Sequence, residues 1–368
     1  MNSSEANTKI STGSYQLNSI LRIDNKAYFV PINKRVLVEY SFAEESETAM
    51  YELPEFSYDG LNPFLDIVLC CGKIVLIPNH AEIFILFDLN NKTFQKIDIP
   101  KDNINCRPWG YFTKAFVYKD KVYAIGHVYP GIVKVDVEDC TCGIVLNMST
   151  LDKPIYRFMF DSVLYDGKVF LLSAIDNYLL VYDLDTLYLK KLKLGMENTP
   201  LYKSILINDE KLILIKNNGE IDCCDVSLIK KDNETTIQVK PFIRTDVLNS
   251  DEDIRSVVCD DSYIIGAENG SIQVLKQNDY GCEMIVLKQP YGEFNIYNFF
   301  DKGDKKVLFI DNNRLKNFKI DLMEKKITEI NIASDDEKYL ALGIIEKKKI
   351  LAETDVSLEG FIANIIKK

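Results

Sequence analysis

The sequence predicts an all-β protein built from repeated four-stranded units. A phrase of polar turn, lysine and apolar strand recurs along the chain, and the apolar residues between turns alternate with period two. Stretches with the 3.6-residue period of a helix are absent until the last dozen residues, which excludes a fold of alternating strands and helices. At 47% hydrophobic, the 368 residues are enough for a large buried core.

The recurring phrase is aligned on its lysine, or on the residue that takes the lysine's place. Complete copies follow one another at intervals of 47, 48, 47, 43, 51 and 44 residues, with landmarks at Lys26, Lys73, Lys121, Lys168, Lys211, Ser262 and Lys306. A further landmark at Lys349 has only a first hairpin attached. We therefore predict seven units, with eight or six as the alternatives.

Each unit holds four predicted strands separated by turn residues. In the second unit the predicted strands are 66–70, 73–77, 83–88 and 93–97, and Asn90-Asn91 makes the last tight turn. In the fourth unit they are 160–165, 168–173, 178–184 and 188–194. The two units thus predict the same succession of hairpins.

Four-stranded units with a period of about 40 to 50 residues are typical of a β-propeller, in which radial repetition leaves each sheet only short, protected edges. An apolar-Asp-apolar phrase also recurs, as Phe87-Asp88-Leu89, Val135-Asp136-Val137, Tyr182-Asp183-Leu184 and Ile320-Asp321-Leu322. With this period, the phrases resemble the kelch-type propellers and the uncharacterised kelch-like proteins of bacteria. The resemblance implies a propeller fold and no particular activity.

The chain is predicted to have three parts: a polar tail at 1–13, the propeller at 14–353 and a C-terminal helix at 354–368. Ser357 can cap this helix, whose apolar residues recur at helical spacing on one face, at Leu358, Phe361, Ile362, Ile365 and Ile366. We expect this amphipathic helix to dock on its own propeller or in a groove of a partner protein.

Composition restricts the partners and the compartment. The chain has 44 basic and 55 acidic residues, a net charge of −11, so we expect no nucleic-acid partner. The first residues lack the apolar run of a secretory signal, and no stretch is long and apolar enough to span a membrane. The nine cysteines are odd in number and include adjacent pairs in apolar runs, which favours reduced thiols. We therefore expect a cytoplasmic protein without a membrane partner.

Candidate binding residues fall in the loops between second and third strands and in the loops that enter the first strands. In a propeller these loops share one face around the central channel, here called the loop face. Trp, Tyr and Arg carry binding energy in concave sites, and His titrates near neutrality. The candidates are His80, Arg107, Trp109, His127, Tyr129, Tyr156, Arg157, Tyr202, Arg255 and Tyr297. Turn chemistry and packing between blades are the alternative roles of these residues.

The leading functional interpretation is a non-catalytic propeller that binds a protein segment or a glycan-like ligand on its loop face. Its anchors would be Arg107, Trp109, Tyr156, Arg157 and Arg255, with both histidines nearby. One alternative is a carbohydrate-active lyase or isomerase that uses a loop histidine as acid or base. Another is a scaffold that acts through its C-terminal helix. No third metal ligand, nucleophile or phosphate loop is evident, so we assign no catalytic residue, metal or cofactor.

Overall fold

The computed structural model of this chain describes residues 19–32, 34–41, 43, 46–58, 63–101, 110–149, 159–173, 177–194, 201–229, 236–237, 239–244, 254–267, 272–278, 281–289, 294–303, 305–311 and 316–330. These residues form a β-propeller of seven blades, with one antiparallel sheet per blade. The predicted fold and blade number are confirmed. The tail at 1–13, the landmark at Lys349 and the helix at 354–368 lie outside the described residues.

Each blade begins with its innermost strand, and first strands of successive blades contact each other around the central axis. Blade 1 contains β1 (Leu21–Ile23), β2 (Lys26–Phe29), β3 (Val36–Ser41) and β4 (Ser46–Glu52). Blade 2 contains β5 (Phe64–Cys70), β6 (Lys73–Pro78), β7 (Ile83–Asp88) and β8 (Phe94–Asp98). Blade 3 contains β9 (Phe112–Tyr118), β10 (Lys121–Gly126), β11 (Gly131–Asp136) and β12 (Thr141–Asn147).

The remaining blades follow the same order. Blade 4 contains β13 (Met159–Tyr165), β14 (Lys168–Ser173), β15 (Tyr178–Asp183) and β16 (Leu189–Leu194). Blade 5 is interrupted after its third strand by α1 (Val226–Ile229) and β20 (Thr236–Ile237), and its own strands are β17 (Tyr202–Asn208), β18 (Lys211–Lys216), β19 (Glu220–Asp225) and β21 (Lys240–Arg244). Blade 6 contains β22 (Ile254–Cys259), β23 (Ser262–Ala267), β24 (Gln273–Asn278) and β25 (Gly281–Ile285), and blade 7 contains β26 (Ile296–Gly303), β27 (Lys306–Asp311), β28 (Lys316–Asp321) and β29 (Lys326–Ile330).

The eight strands predicted for the second and fourth units all exist, and none of their ends is displaced by more than two residues. The expected period-two alternation, however, fails in the middle strands. All six residues of β3 are buried, and β6 and β10 are buried after their first lysine. Each sheet packs against two neighbouring blades, so its middle strands are apolar on both faces.

A separate apolar core fills each junction between neighbouring blades, including the junction that closes the ring. Between blades 2 and 3, for example, the rings of Phe84 and Phe112 lie 5.3 Å apart. Leu308 of blade 7 packs in one cluster with Phe29 and Val38 of blade 1. Within the described residues, the ring is therefore closed by side-chain packing between blade 7 and blade 1.

The end of the blades opposite the loop face carries the tight turns, and we call it the turn face. In blades 2 to 5 the first-to-second turn places two successive residues at positive φ, as in Asp166 (49°) and Gly167 (71°), the conformation of a type I′ hairpin. In the third-to-fourth turns, the Asp that ends the third strand accepts the backbone N–H groups of the residues two and three positions later, at 2.8 to 3.2 Å. This geometry is shared by Asp88, Asp136, Asp183 and Asp321.

The same aspartates stand opposite the landmark lysines in the cross-strand register. Lys121 Nζ lies 2.7 Å from Asp136 Oδ2, and Lys168 Nζ lies 2.6 Å from Asp183 Oδ2. Burial raises the pKa of Asp183, but the Lys168 ammonium and the turn N–H groups outweigh burial and bring it to about 2. The lysine and the aspartate of the repeat therefore act together in closing one turn.

The inner-strand carboxylate of Asp66 connects three blades. Its oxygens accept the Ala115 backbone N–H of blade 3 at 2.9 Å and the Ser19 hydroxyl, which precedes β1, at 3.1 Å. Burial raises the pKa of Asp66, against the effect of these hydrogen bonds. The carboxylate satisfies polar groups that would otherwise face the central channel without a partner.

Asp161 has the corresponding position in blade 4. Its carboxylate accepts the Ser204 hydroxyl of blade 5 at 2.6 Å and lies 3.4 Å from Lys114 Nζ of blade 3. Ser204 in turn shares a hydrogen bond with Ser256 of blade 6. Together with the contacts of Asp66, these bonds link the inner strands of blades 1 to 6 in sequence.

Blade 4 departs from the predicted four strands, because β20 from the fifth unit pairs in parallel with its outer strand β16. The chain leaves β19 of blade 5, forms α1, adds β20 to blade 4 and returns as β21. This insertion also explains why the interval between Lys211 and Ser262 is the longest, at 51 residues. In the described part of the chain, no helix has the length and apolarity that crossing a membrane requires.

Replacing Asp183 should separate its two roles. Asp183→Asn keeps the turn acceptor but loses the ion pair, and should lower the free energy of unfolding by about 1 kcal/mol at pH 7. Asp183→Ala loses both and should cost about 2 kcal/mol. Because the folded-state pKa is depressed, the advantage of wild type over Asp183→Asn should be constant above about pH 4 and should vanish as the pH falls to about 2. Urea titrations at a series of pH values measure this difference, and a difference that grows on acidification would contradict the assignment.

Removing the bridge at Asp161 should destabilise the ring. We expect Asp161→Ala to cost about 3 kcal/mol, because Lys114 and two neighbouring blades lose their common acceptor. Ser204→Ala should cost about 1 kcal/mol. The control is Asp139→Ala, at an exposed turn carboxylate, which should change stability by less than about 0.5 kcal/mol. Equal losses for Asp161→Ala and the control in urea unfolding would show that the bridge contributes nothing.

Candidate functional site

The two histidines lie on the loop face, in the second-to-third loops of blades 2 and 3. The Tyr111 backbone N–H donates to the Asn79 carbonyl at 2.9 Å, and the His127 N–H donates to the Tyr111 carbonyl at 2.8 Å. His80 follows Asn79 directly, and its N–H donates to the Pro63 carbonyl at 3.2 Å. The structure thus connects both histidine loops through the single residue Tyr111.

Gly110 allows His127 to approach the entry of blade 3. Its φ is +69°, in the left-handed region that favours glycine, and a Cβ at this position would lie 3.3 Å from His127 Cδ2. Gly110 directly follows Trp109 in the sequence. Trp109 is therefore the residue directly before the glycine that faces the His127 ring.

Two of the sequence candidates are packing residues in this structure. Tyr129 is completely buried, and its hydroxyl donates to the Pro100 carbonyl at 2.8 Å. Tyr202 is also buried, and its hydroxyl donates to Asp222 Oδ2 at 2.6 Å. Both side chains are enclosed by protein, so neither is available for contact with a ligand.

The other candidates are more widely distributed. Arg255 is half-buried on the inner strand β22, away from the histidine loops in the ring order. Tyr297 lies in β26, and the structure describes only its backbone. The remaining four candidates lie outside the described residues: Arg107, Trp109, Tyr156 and Arg157. Among the candidates that the structure describes, His80 and His127 lie in loops that both bond to Tyr111, and Tyr129 lies in the same loop as His127.

A buried polar cluster in blade 5 was not predicted from the sequence. Lys216 Nζ lies 2.9 Å from Asp222 Oδ2 and 3.0 Å from Glu220 Oε2. Burial lowers the pKa of Lys216, but the two carboxylates outweigh it and raise the pKa, while burial and the Asp222 hydrogen bond raise the pKa of Tyr202. At neutral pH the Lys216 side chain is therefore an ammonium and the Tyr202 side chain a neutral phenol. In the sequence, this cluster is visible as Lys216 at the end of β18 and Glu220 at the start of β19, both at the loop-side ends of their strands.

The loop face also carries buried polar atoms that have no hydrogen-bond partner among the described residues. They belong to the loops and strand ends of blades 1, 2, 5 and 6, and they are Arg35 Nε, His80 Nδ1, Asn217 Oδ1, Asp222 Oδ1, Gln273 Oε1 and Gln289 Oε1. Four of the six are acceptor oxygens. Most buried polar groups in folded proteins are paired, so this face offers hydrogen-bonding capacity that the blades themselves do not use.

Within the described ranges, no three His, Cys, Asp or Glu side chains are grouped closely enough to hold a metal ion. Catalysis by His80 or His127 stays a prediction from the sequence.

Comparison with known proteins supports the propeller fold and identifies no function. No protein-family model and no curated protein matches the sequence. The β-propeller domain of Cps50 (Swd1) from Myceliophteria thermophila has a TM-score of 0.58 at 7% identity, covering 83% of this chain and 95% of that one. BamB from Moraxella catarrhalis has a TM-score of 0.50 at 12% identity, covering 82% of each chain, and a streptogramin B lyase has 0.53 at 13%, covering 81% and 90%. At these identities the likeness shows a propeller fold alone.

Replacing Gly110 should displace His127 and leave His80 in place. Gly110→Ala puts a Cβ against the His127 ring at a positive φ, and should cost about 1 kcal/mol of stability. The chain has two histidines, so imidazole signals in ¹H–¹⁵N spectra can be assigned with His80→Gln. We expect the His127 signal alone to shift. The matched control is Gly143→Ala in β12, where a Cβ meets nothing within 4 Å; an unchanged His127 signal in Gly110→Ala would refute the contact.

Proposed function

We propose that this protein is a non-catalytic interaction propeller whose loop face binds an extended segment of a partner protein. The propeller fold is a typical scaffold for protein interactions. The observation that carries the proposal is the set of buried, unpartnered polar atoms on the loop face, at Arg35, His80, Asn217, Asp222, Gln273 and Gln289. These atoms are enclosed in the unbound protein, so we propose that the loop face opens locally for a ligand that supplies the missing partners.

The chemistry of these atoms favours a peptide over a glycan. Four of the six are acceptor oxygens, which pair with N–H donors such as a peptide backbone or a lysine or arginine side chain. Sugar hydroxyls donate and accept in equal measure and have no such preference. The net charge of −11 also attracts basic segments. The partner segment is therefore extended and basic.

The sequence candidates complete this proposal. Trp109 and Arg107 precede Gly110, whose backbone contacts His127, and we assign them as anchors at the junction of blades 2 and 3. Tyr156 and Arg157 enter blade 4 and would extend the contact along the ring. The kelch-like relationship and a cytoplasmic location belong to the same proposal. The recurring aspartate phrases support the first, and the odd number of cysteines with adjacent pairs in apolar runs, which favours reduced thiols, supports the second.

Peptide display tests the proposal directly. Random peptides selected on the full-length chain should be enriched in Lys and Arg. Their affinity, measured by fluorescence polarisation, should fall with added salt. A variant carrying His80→Ala and Gln273→Leu should bind the selected peptides at least about fivefold more weakly, because it removes two of the unpartnered groups.

The matched control lies on the turn face. Met323 is 68% exposed in the third-to-fourth turn of blade 7, so Met323→Ala should leave peptide affinity unchanged. The proposal fails if the selected peptides show no basic enrichment, or if the double variant binds them as tightly as wild type.

A further inference from the structure

A cavity of about 510 Å³ opens on the turn face between blades 4 and 5. Its volume lies in the range of small-molecule pockets. It is formed by β14, β15, β16, the tight turns before β14 and after β15, and the helix α1. None of its lining residues belongs to the loop face, so this site is independent of the function proposed above.

The cavity lies at a junction where the turn face is closed differently. At the two preceding junctions, a side chain of one blade donates a hydrogen bond to the last tight turn of the next blade. Between blades 2 and 3, Lys73 Nζ donates to the Val137 carbonyl of the next blade at 2.9 Å. Between blades 3 and 4, the Tyr118 hydroxyl donates to Asp185 at 2.8 Å. Val226 stands where Val137 stands in blade 3, one residue after the strand-ending aspartate.

Val226 begins α1 instead of a tight turn. The landmark Lys168 pairs with Asp183 of its own blade, and the side chain of Ile229 in α1 lines the far wall. Lys190 Nζ donates to the Ile229 carbonyl at 3.2 Å, which fixes this wall to blade 4. The one insertion in the described repeat thus builds a concave site at the junction it interrupts.

The lining combines an apolar floor with a polar rim of balanced charge. Phe170, Val181 and Ile229 are buried at the floor. Two carboxylates and two ammonium groups surround the opening, those of Asp166, Asp183, Lys168 and Lys190. Tyr188 stands at the same opening with 64% of its surface exposed, among the most exposed large apolar side chains of the described residues. Exposed aromatic rings at a cavity mouth are typical of binding sites.

We propose that this cavity binds a neutral, polyhydroxylated ring, such as a sugar. Each hydroxyl can donate to a carboxylate or accept from an ammonium, so a mixed rim satisfies it on both counts. The C–H face of the ring packs on Tyr188 and the apolar floor. An anionic or cationic ligand would meet as many like as opposite charges in the lining and would gain no net attraction from it.

The test is calorimetric titration of the full-length chain with glucose, galactose, mannose, maltose and cellobiose, and with glucuronate and glucosamine as charged counterparts. We expect saturable binding of at least one neutral sugar and weaker binding of the charged counterparts. Tyr188→Ala should weaken that binding at least about fivefold. Since Tyr188 is 64% exposed, its replacement should leave the fold intact, which thermal unfolding checks.

Met323→Ala, at an exposed apolar residue in the same turn of blade 7, is the matched control and should not change sugar affinity. The variant with His80→Ala and Gln273→Leu should not change it either, which separates this site from the loop face. The inference is overturned if no neutral sugar saturates, if a charged counterpart binds more tightly, or if Tyr188→Ala binds as tightly as wild type.

Discussion

The architecture depends on the hydrogen bonds and ion pairs of the aspartate that ends the third strand of a blade. In blades 2, 3, 4 and 7 its carboxylate closes the last turn, and in blades 3 and 4 it also pairs with the landmark lysine of the neighbouring strand. Blade 1 has Ser41 at this place, and Lys26 pairs with the buried Glu39 instead. Because these contacts satisfy the turn face locally, blades 2, 3, 4 and 7 end at a fixed length. The long loops are left to the opposite face.

The inner strands add a second constraint that acts between blades. Asp66 and Asp161 each accept donors from the following blade, so the channel wall is a connected polar belt and the apolar cores lie outside it. A scaffold connected in this way holds its loops in place before a ligand arrives, which lowers the entropy cost of binding. Where the repeat is interrupted, at α1 and β20, a cavity lies on the turn face between blades 4 and 5.

The sequence was informative wherever the deciding interactions are local. The lysine and aspartate phrases predicted the strands of blades 2 and 4 to within two residues, because hairpin turns and strand pairs depend on neighbours in the chain. The pairing of β20 with blade 4 could not be predicted, since it depends on an edge that the chain left about 40 residues earlier. The burial of Tyr129 and Tyr202 and the cluster around Lys216 depend on packing between blades, which composition does not reveal. Both histidine loops bond to Tyr111 because they occupy equivalent places in adjacent blades, seven residues after Lys73 and six after Lys121.

We propose that the two faces of the propeller differ in function because they differ in how their polar groups are satisfied. A crystal structure of the full-length chain with a display-selected basic peptide tests it most directly. The account predicts the peptide on the loop face, with its N–H groups within hydrogen-bond distance of Asp222 Oδ1, Gln273 Oε1 or Asn217 Oδ1, the oxygens that are unpartnered in the described structure. A peptide bound on the turn face, or one that leaves these oxygens without partners, would contradict it.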